Sequence, residues 1–293
     1  MRTCGWVLGV LLALSGCDDS GGEDAGADAA AMLDAGGTED SGPTPDAGPT
    51  PDSGPTPDAG PDDAGPDDAG PMPIECDYRT VDGRVVIEAE NLPLNEMWEV
   101  RSSASGFSGA GYIEWTGSSH NNDPTHGNMA IDVHFDAAGR YRLQAHQRVG
   151  MGSNPTEHND IFVRVADADG FYGRRGDMTD EQRVYPRPQC DDTAFTGPIL
   201  AMPNVMEVDC PNGTSRDGWF KVYSSGALDW RWIANTSDND GHAVIIEVDG
   251  PSTVTFEIAA RADFSQLDRI VLHEISQEDS VIRDFDLPET TCE

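Results

Sequence analysis

Two glutamates separated by one residue are the first side chains in the sequence whose spacing points to chemistry. Glu88 and Glu90 lie in residues 85–90, whose apolar and β-branched residues predict a strand. Side chains two positions apart project from the same face of a strand, so the two carboxylates would lie side by side and repel each other. A hard cation such as Ca²⁺, which takes about six to eight oxygen ligands, would neutralise them. The alternative is that both glutamates are solvated on an exposed face.

Common catalytic motifs are absent from the sequence. Its seven histidines form no His-Glu-x-x-His pair, and neither a Gly-x-Ser-x-Gly elbow nor a phosphate-binding glycine loop occurs. The abundant Asp and Glu residues leave a glycosidase carboxylate pair open. A transition-metal site that uses His120, His126 or His158 also stays open. Neither has a motif to support it.

The N-terminus has the layout of an export signal. Arg2 supplies a positive charge, and residues 7–14 are an apolar run that is too short to span a bilayer alone. The sequence Leu-Ser-Gly-Cys that ends at Cys17 resembles the lipobox of bacterial lipoproteins. This resemblance implies removal of residues 1–16 and attachment of lipid to Cys17. It predicts a protein held on a bacterial membrane on the extracytoplasmic side, in the periplasm or at the cell surface. An ordinary signal peptide with a chance cysteine is the alternative.

Residues 17–73 are a low-complexity linker. After Cys17 they contain no aromatic residue, no Lys and no Arg, and they repeat Asp-Ala-Gly-Pro and Pro-Thr-Pro-Asp units. Such a segment has little apolar surface to bury, so it cannot offset the entropy lost on ordering. We expect a disordered, extended spacer that holds residues 74–293 away from the membrane.

The charge of residues 74–293 restricts their partners. The whole chain has a formal net charge of −35, and the linker contributes 15 acidic residues and no basic one. Because Arg2 is the single basic residue before position 74, residues 74–293 keep 38 acidic and 17 basic residues, a net charge of −21. Nucleic acid and anionic lipid headgroups need basic patches, so both are poor partners. Cations and neutral polymers suit this surface better.

Cysteine use agrees with export to an oxidising compartment. Beyond the linker the chain has an even number of cysteines, as expected for disulfides: Cys76, Cys190, Cys210 and Cys292. Four cysteines allow three pairings. We favour Cys190–Cys210, which would close a loop within a turn-rich stretch, and Cys76–Cys292, which would join the two ends of the domain.

Residues 74–293 have the length of one domain and a pattern of short strands. About ten segments are rich in apolar, β-branched and aromatic residues and are separated by Gly, Pro, Asn and Asp, without a convincing helical period. These segments are 85–90, 111–115, 129–135, 141–149, 161–165, 219–223, 230–233, 243–248, 253–260 and 267–273. Within 141–149, alternation predicts one face with Tyr141, Leu143, Ala145 and Val149 and an opposite face with Arg142, Gln144 and His146. The pattern predicts an all-β fold, an antiparallel β-sandwich. Residues 167–217 interrupt the rhythm, and we expect an ordered excursion there.

Four short motifs occur in a fixed order along this domain. They are Ile-Glu-Ala-Glu-Asn at 87–91, Gly-Phe-Ser-Gly-Ala-Gly-Tyr-Ile at 106–113, Ala-Gly-Arg-Tyr at 138–141 and Leu-Asp-Arg-Ile at 267–270. In this order they resemble motifs of the β-jelly-roll, galactose-binding-like carbohydrate-binding modules of families 6 and 35. The resemblance spans residues 87–272, and the excursion departs from it. It implies a jelly-roll sandwich with a non-catalytic, sugar-binding role.

The same resemblance assigns a metal site. In the resembled modules, the residues equivalent to Glu88, Glu90 and Asp268 bind a structural calcium ion. Carried over, these three side chains and backbone carbonyls from the segment before Gly111 would hold Ca²⁺ in this chain.

Candidate sugar-binding residues follow from the chemistry of sugars. Sugar rings stack their C–H faces on aromatic rings, while amides and carboxylates bind the hydroxyls. The Trp230-Arg231-Trp232 sequence resembles the tryptophan pair of these families, with Trp230 as the candidate platform, and Gln266 stands where many relatives carry a ligand-binding Asn. Three further candidates come from the start of a strand and the end of the excursion: Asn159, Asp160 and Trp219. The alternative for each tryptophan is a place in the core.

Two functions from different classes remain. The favoured one is a membrane-tethered module that binds polysaccharide or a cell-surface glycan. The alternative is a structural or adhesive surface lipoprotein that binds protein partners. Exposed aromatic rings would favour the first function, and wholly buried tryptophans would count against it.

Overall fold

The computed structural model describes residues 75–175, 183–191, 210, 213–224, 228–237 and 241–292. The signal peptide, the lipid-bearing Cys17 and the linker predicted above lie outside the described residues. Within the described part, no helix is long and apolar enough to cross a bilayer.

Strands dominate the described part of the chain. The one α-helix there is the single turn α1, Asp279–Ile282, and three 3₁₀ turns cover Ala89–Asn91, Gln189–Asp191 and Arg216–Gly218. The strands are β1 Tyr78–Arg79, β2 Arg84–Glu88, β3 Trp98–Arg101, β4 Tyr112–Trp115, β5 Met129–Phe135, β6 Gly139–Val149, β7 Asp160–Ala166, β8 Gly170–Arg174, β9 Arg183–Val184, β10 Phe220–Tyr223, β11 Arg231–Trp232, β12 Asn235–Thr236, β13 His242–Val248, β14 Ser252–Ala260 and β15 Ser265–Glu274.

The strands form one continuous sheet that folds into two layers. The first layer has the order β1-β5-β14-β7-β10, and the second has β8-β13-β6-β15, with β2 and β4 on the far side of β15. Strand β12 pairs with both β10 and β13 and so joins the layers at one edge. All of these pairings are antiparallel except that of β1 with β5. The predicted all-β, antiparallel sandwich is confirmed.

The apolar core lies between the two layers. Phe135 and Phe256 from the first layer and Leu143 and Ile270 from the second are at most 1% exposed and belong to the same buried cluster. Along β6 the core-facing residues Tyr141, Leu143 and Ala145 alternate with a row on the outer face. That outer row contains Arg142, Gln144 and His146. The alternation predicted for this strand is therefore present, and it places His146 outside the core.

The structure corrects one expectation about the first strand. Strand β2 ends at Glu88, and Ala89–Asn91 turn into a 3₁₀ helix. Glu90 therefore does not share a strand face with Glu88, and the prediction of a continuous strand over 85–90 is wrong. Strands that the sequence pattern did not reveal are short or glycine-containing: β1, β3, β8, β9 and β12.

Both favoured disulfides are present. Cys76 and Cys292 join the two ends of the described domain, with their Cα atoms 5.8 Å apart. Cys190 and Cys210 lie within the excursion, and Cys190 packs in a small apolar cluster with Tyr172 on β8. Strand β8 pairs along β13 and carries β9 on its other side, so these two strands of the excursion extend the second layer.

Candidate functional site

Asp268 is a carboxylate that a β-bulge turns into the protein. The register of β15 against β6 shifts between Leu267 and Arg269, which leaves Asp268 without a pairing partner. Its side chain is fully buried, so its oxygens need hydrogen bonds from the protein. They accept bonds from the backbone N–H of Ser108 at 3.0 and 3.1 Å and from Nδ1 of His146 at 2.6 Å.

Glu88 lies beside Asp268 and has a buried cationic partner. It stands opposite Arg269 in the pairing of β2 with β15, and its Oε1 accepts a hydrogen bond from Nη2 of Arg269. Its Oε2 accepts a 2.8 Å bond from the Ser108 hydroxyl. Arg269 is 2% exposed, so this ion pair is almost completely removed from water.

Glu90 reaches the same loop from the 3₁₀ turn. Its Oε1 accepts backbone hydrogen bonds from Ala110 at 2.6 Å and Gly111 at 3.1 Å. Gly109 has a φ of +60° and lies so close that a Cβ there would collide with this carboxylate. Burial raises the pKa of Glu90 above its ordinary value, although the backbone bonds oppose the shift. Its Oε2 is buried and has no hydrogen-bond partner among the described residues.

The three predicted metal ligands therefore gather around residues 106–111, and we call Glu88, Glu90 and Asp268 the acidic cluster. Three carboxylates, with one buried oxygen unpartnered in the described chain, match Ca²⁺ in donor chemistry, although the loop presents backbone N–H groups to them. Their spacing is that of a hydrogen-bonded cluster, because within the described ranges no three His, Cys, Asp or Glu side chains converge as in a preformed metal site. Arg269 offsets part of the negative charge.

Aromatic rings surround His146 on the outer face of the same layer. The ring centroid of His146 lies 4.8 Å from that of Trp232 and 5.1 Å from that of Trp230, and both stack within 27° of its plane. Phe285 approaches at 5.1 Å and a steeper angle. Trp232 stands opposite His146 in the β11–β6 pairing. We call these four residues the aromatic cluster.

The aromatic cluster is only partly covered. His146 is 4% exposed and forms its floor, Trp230 and Trp232 are half-buried, and Phe285 is 42% exposed. Trp230 is further fixed by a 2.9 Å bond from its Nε1 to the carbonyl of Ser105 and by edge-on contact with Tyr112. The result is a solvent-facing aromatic surface whose floor is hydrogen-bonded to Asp268 of the acidic cluster. Such a surface can stack on the C–H face of a sugar ring.

Gln266 lies at another point of β15. It stands opposite Glu114 of β4 and is 5% exposed. Its Nε2 donates to the Glu114 carboxylate, while its Oε1 is buried without a partner in the described chain. The side-chain amide is therefore held in place by a carboxylate at the end of the second layer.

The other three predicted sugar-binding residues belong to the first layer. Trp219 is 3% exposed, with the Arg164 guanidinium 4.8 Å from its ring centroid and Phe162 against its edge. Protein atoms therefore cover its ring. The Asn159 side chain donates to the carbonyl of Ser224, and Asp160 forms an ion pair with Arg261. Among the described ring contacts and hydrogen bonds, none links these residues to the aromatic cluster.

Sequence reasoning missed His146, Ser108, Arg269 and Phe285. The alternation along β6 predicted an outward-facing His146, but nothing local connected it to Asp268, which is 122 positions away. Phe285 follows the last strand, where no periodic pattern exists. Tertiary contacts alone bring these residues to the site.

Removal of the Arg269 side chain tests the buried ion pair. Arg269→Ala leaves Glu88 without its cation in a site closed to water, so we expect a loss of about 3–5 kcal/mol in unfolding free energy. The matched control is Arg79→Ala, which breaks an ion pair with Asp136 whose side chains are both over 40% exposed. This control should cost less than about 1 kcal/mol. Urea unfolding followed by tryptophan fluorescence measures both, and equal losses would contradict the prediction.

Comparisons with known proteins give distant structural likenesses. No family model matches the sequence, and no curated protein matches it. The structure of a β-(1,4)-mannanase from Podospora anserina, described as GH26-CBM35, aligns with a TM-score of 0.34 and 14% identity over 68% of this chain, which spans 29% of the mannanase chain. A CBM35 described in complex with a glucuronic acid-containing disaccharide aligns with a TM-score of 0.32 and 9% identity, over 64% of this chain and 91% of the CBM35 chain. The C-terminal CBM6 of a laminarinase from Zobellia galactanivorans aligns with a TM-score of 0.33 and 8% identity, over 65% of this chain and 99% of the CBM6 chain.

Proposed function

We propose that this chain is a non-catalytic glycan-binding protein whose ligand stacks on the aromatic cluster. One observation carries the proposal. Trp230, Trp232 and Phe285 surround a buried histidine on the outer face of the sandwich, and their rings keep access to solvent. Trp115, by contrast, lies in the core between the layers and is 1% exposed.

The fixed orientation of these rings suits recognition of a flat ligand. His146 is bonded to Asp268, and Trp230 is bonded to Ser105, so neither ring is free to turn. A binding surface whose side chains are already ordered loses little conformational entropy when a ligand binds. Sugar rings gain most from such surfaces because stacking needs a defined plane.

We propose calcium as a structural partner of the acidic cluster. The side chains of Glu88, Glu90 and Asp268 would hold the ion together with carbonyls from residues 106–111. Its role would be to fix this loop against β2 and β15. The loop supports Trp230, because Gly106 lies against the indole and Ser105 accepts its N–H. Bound calcium would therefore stabilise the aromatic surface without contacting the glycan.

We further propose that lipid on Cys17 anchors the chain outside the bacterial cytoplasm. The lipobox-like sequence and the following acidic, proline-rich residues support this arrangement. The domain would then hold glycan at a distance from the membrane that the linker sets.

Trp230→Ala tests glycan binding. In a soluble chain of residues 18–293, we expect binding to a glycan array of plant, algal and bacterial polysaccharides to weaken at least about tenfold, or about 1.4 kcal/mol, because the central platform is lost. Trp230→Phe should keep most of the affinity, and Val100→Ala on β3 is the control for an exposed apolar residue elsewhere. A wild-type chain that binds no glycan would favour the protein-binding alternative.

Calorimetry tests the metal. Titration of Ca²⁺ into the soluble chain should give saturable heat below millimolar concentrations. Glu90→Gln should weaken binding at least about tenfold because it removes a charged oxygen ligand. Asp132→Asn, a change of an exposed carboxylate on β5, should leave binding unchanged. An absence of heat at millimolar Ca²⁺ would show that Arg269 and hydrogen bonds are sufficient to hold the cluster.

Lipid labelling tests the anchor. The full chain expressed in a bacterium that is fed alkyne-palmitate should become labelled and sediment with membranes. Cys17→Ser should lose both properties, because lipid attaches to that sulfur. Cys4→Ser should keep them, because residue 4 lies in the removed segment. Persistent labelling of the Cys17→Ser chain would contradict the lipobox assignment.

A further inference from the structure

The C-terminal segment, residues 279–292, lies across the outer face of the second layer. Its helix α1 buries Ile282 completely, in a cluster with Val86 and Val271 from β2 and β15. Asp279 accepts a 3.0 Å bond from Gln144, and the disulfide to Cys76 fixes the far end. The segment is therefore part of the sheet surface on which the aromatic cluster stands.

Arg269 sets the position of Phe285 within this segment. Its Nη1 donates to the carbonyl of Asp284 at 3.1 Å, and its Nη2 donates to the carbonyl of Phe285 at 3.3 Å. The same guanidinium pairs with Glu88 and lies 5.8 Å from the Phe285 ring centroid. A buried cation thus holds the backbone at Phe285 against the acidic cluster.

The Phe285 side chain is exposed where most large apolar residues would be buried. The residue is 42% exposed, and its ring centroid lies 5.1 Å from that of His146 and 6.0 Å from that of Trp232, to which the ring is tilted by 33°. Phe285 therefore belongs to the same apolar patch as the half-buried Trp230 and Trp232 and is not an isolated exposed residue.

We propose that Phe285 is a further glycan-contacting residue, and that the C-terminal segment forms one wall of the binding surface. This inference rests on the proposed function. Trp230 and Phe285 both flank His146, each with its centroid 5.1 Å away. A ligand that contacts both rings would extend across His146, so the ligand class that we propose is a glycan chain rather than a free monosaccharide.

Affinity electrophoresis tests this inference. The soluble chain of residues 18–293 is run through native gels that contain arabinoxylan, galactomannan, laminarin or pullulan. We expect retardation of the wild type in at least one gel and a loss of about tenfold in affinity for Phe285→Ala. Phe285→Leu keeps apolar volume against His146 but has no flat face, so it should lose binding with an unchanged unfolding midpoint. Phe285→Tyr should bind within about threefold of wild type.

Val281→Ala is the matched control, because Val281 is 51% exposed in the same segment. It should bind like wild type. Equal retardation of wild type and both the Ala and Leu variants at Phe285 would overturn the inference and leave the proposed function standing. An equal loss in Val281→Ala would also overturn it, since the segment as a whole would then be responsible. Wild type that no gel retards would overturn both.

Discussion

A carboxylate without access to water organises the second layer of this sandwich. Asp268 sits in a bulge of β15 at 0% exposure, and an unpaired charge there would cost several kcal/mol. Its oxygens are satisfied by Ser108 from one loop and His146 from β6. Displacement of either group would leave a buried charge with fewer donors, so the loop and the strand are held where this carboxylate needs them.

This constraint extends from the acidic cluster to the aromatic surface. The bond to Asp268 fixes the plane of His146, and the two tryptophans stack on that plane. Arg269, which follows Asp268, connects Glu88 to the backbone at Phe285. The residues of the proposed glycan-binding surface are therefore positioned by buried groups. A substitution in the acidic cluster should consequently disturb binding through geometry rather than through contact.

Local patterns predicted most of the sheet and little of the site. The strand segments and the inward-facing residues of β6 followed from alternation, because each depends on neighbours in sequence. The turn after Glu88 did not follow, because backbone hydrogen bonds from Ala110 and Gly111 draw Glu90 out of the strand. Trp219 and Asp160 are candidate ligand residues by their positions in the sequence, yet in the fold Arg164 lies over the Trp219 ring and Arg261 pairs with Asp160. Pairings across such separations depend on register, which a single sequence does not specify.

The net negative charge of the domain limits which interactions can contribute to glycan affinity at the aromatic cluster. Residues 74–293 carry a net charge of −21, so a polyanionic glycan would approach against a repulsive field. Arg269, whose guanidinium lies 5.8 Å from the Phe285 ring centroid, is buried and already pairs with Glu88. Ion pairing through it would expose the acidic cluster and is therefore costly. Stacking and burial of apolar area are independent of ligand charge and are not screened by salt. Affinity for a neutral glycan chain should thus increase with the number of aromatic rings that the chain covers. Phe285, in the C-terminal segment, adds one ring to those of Trp230 and Trp232.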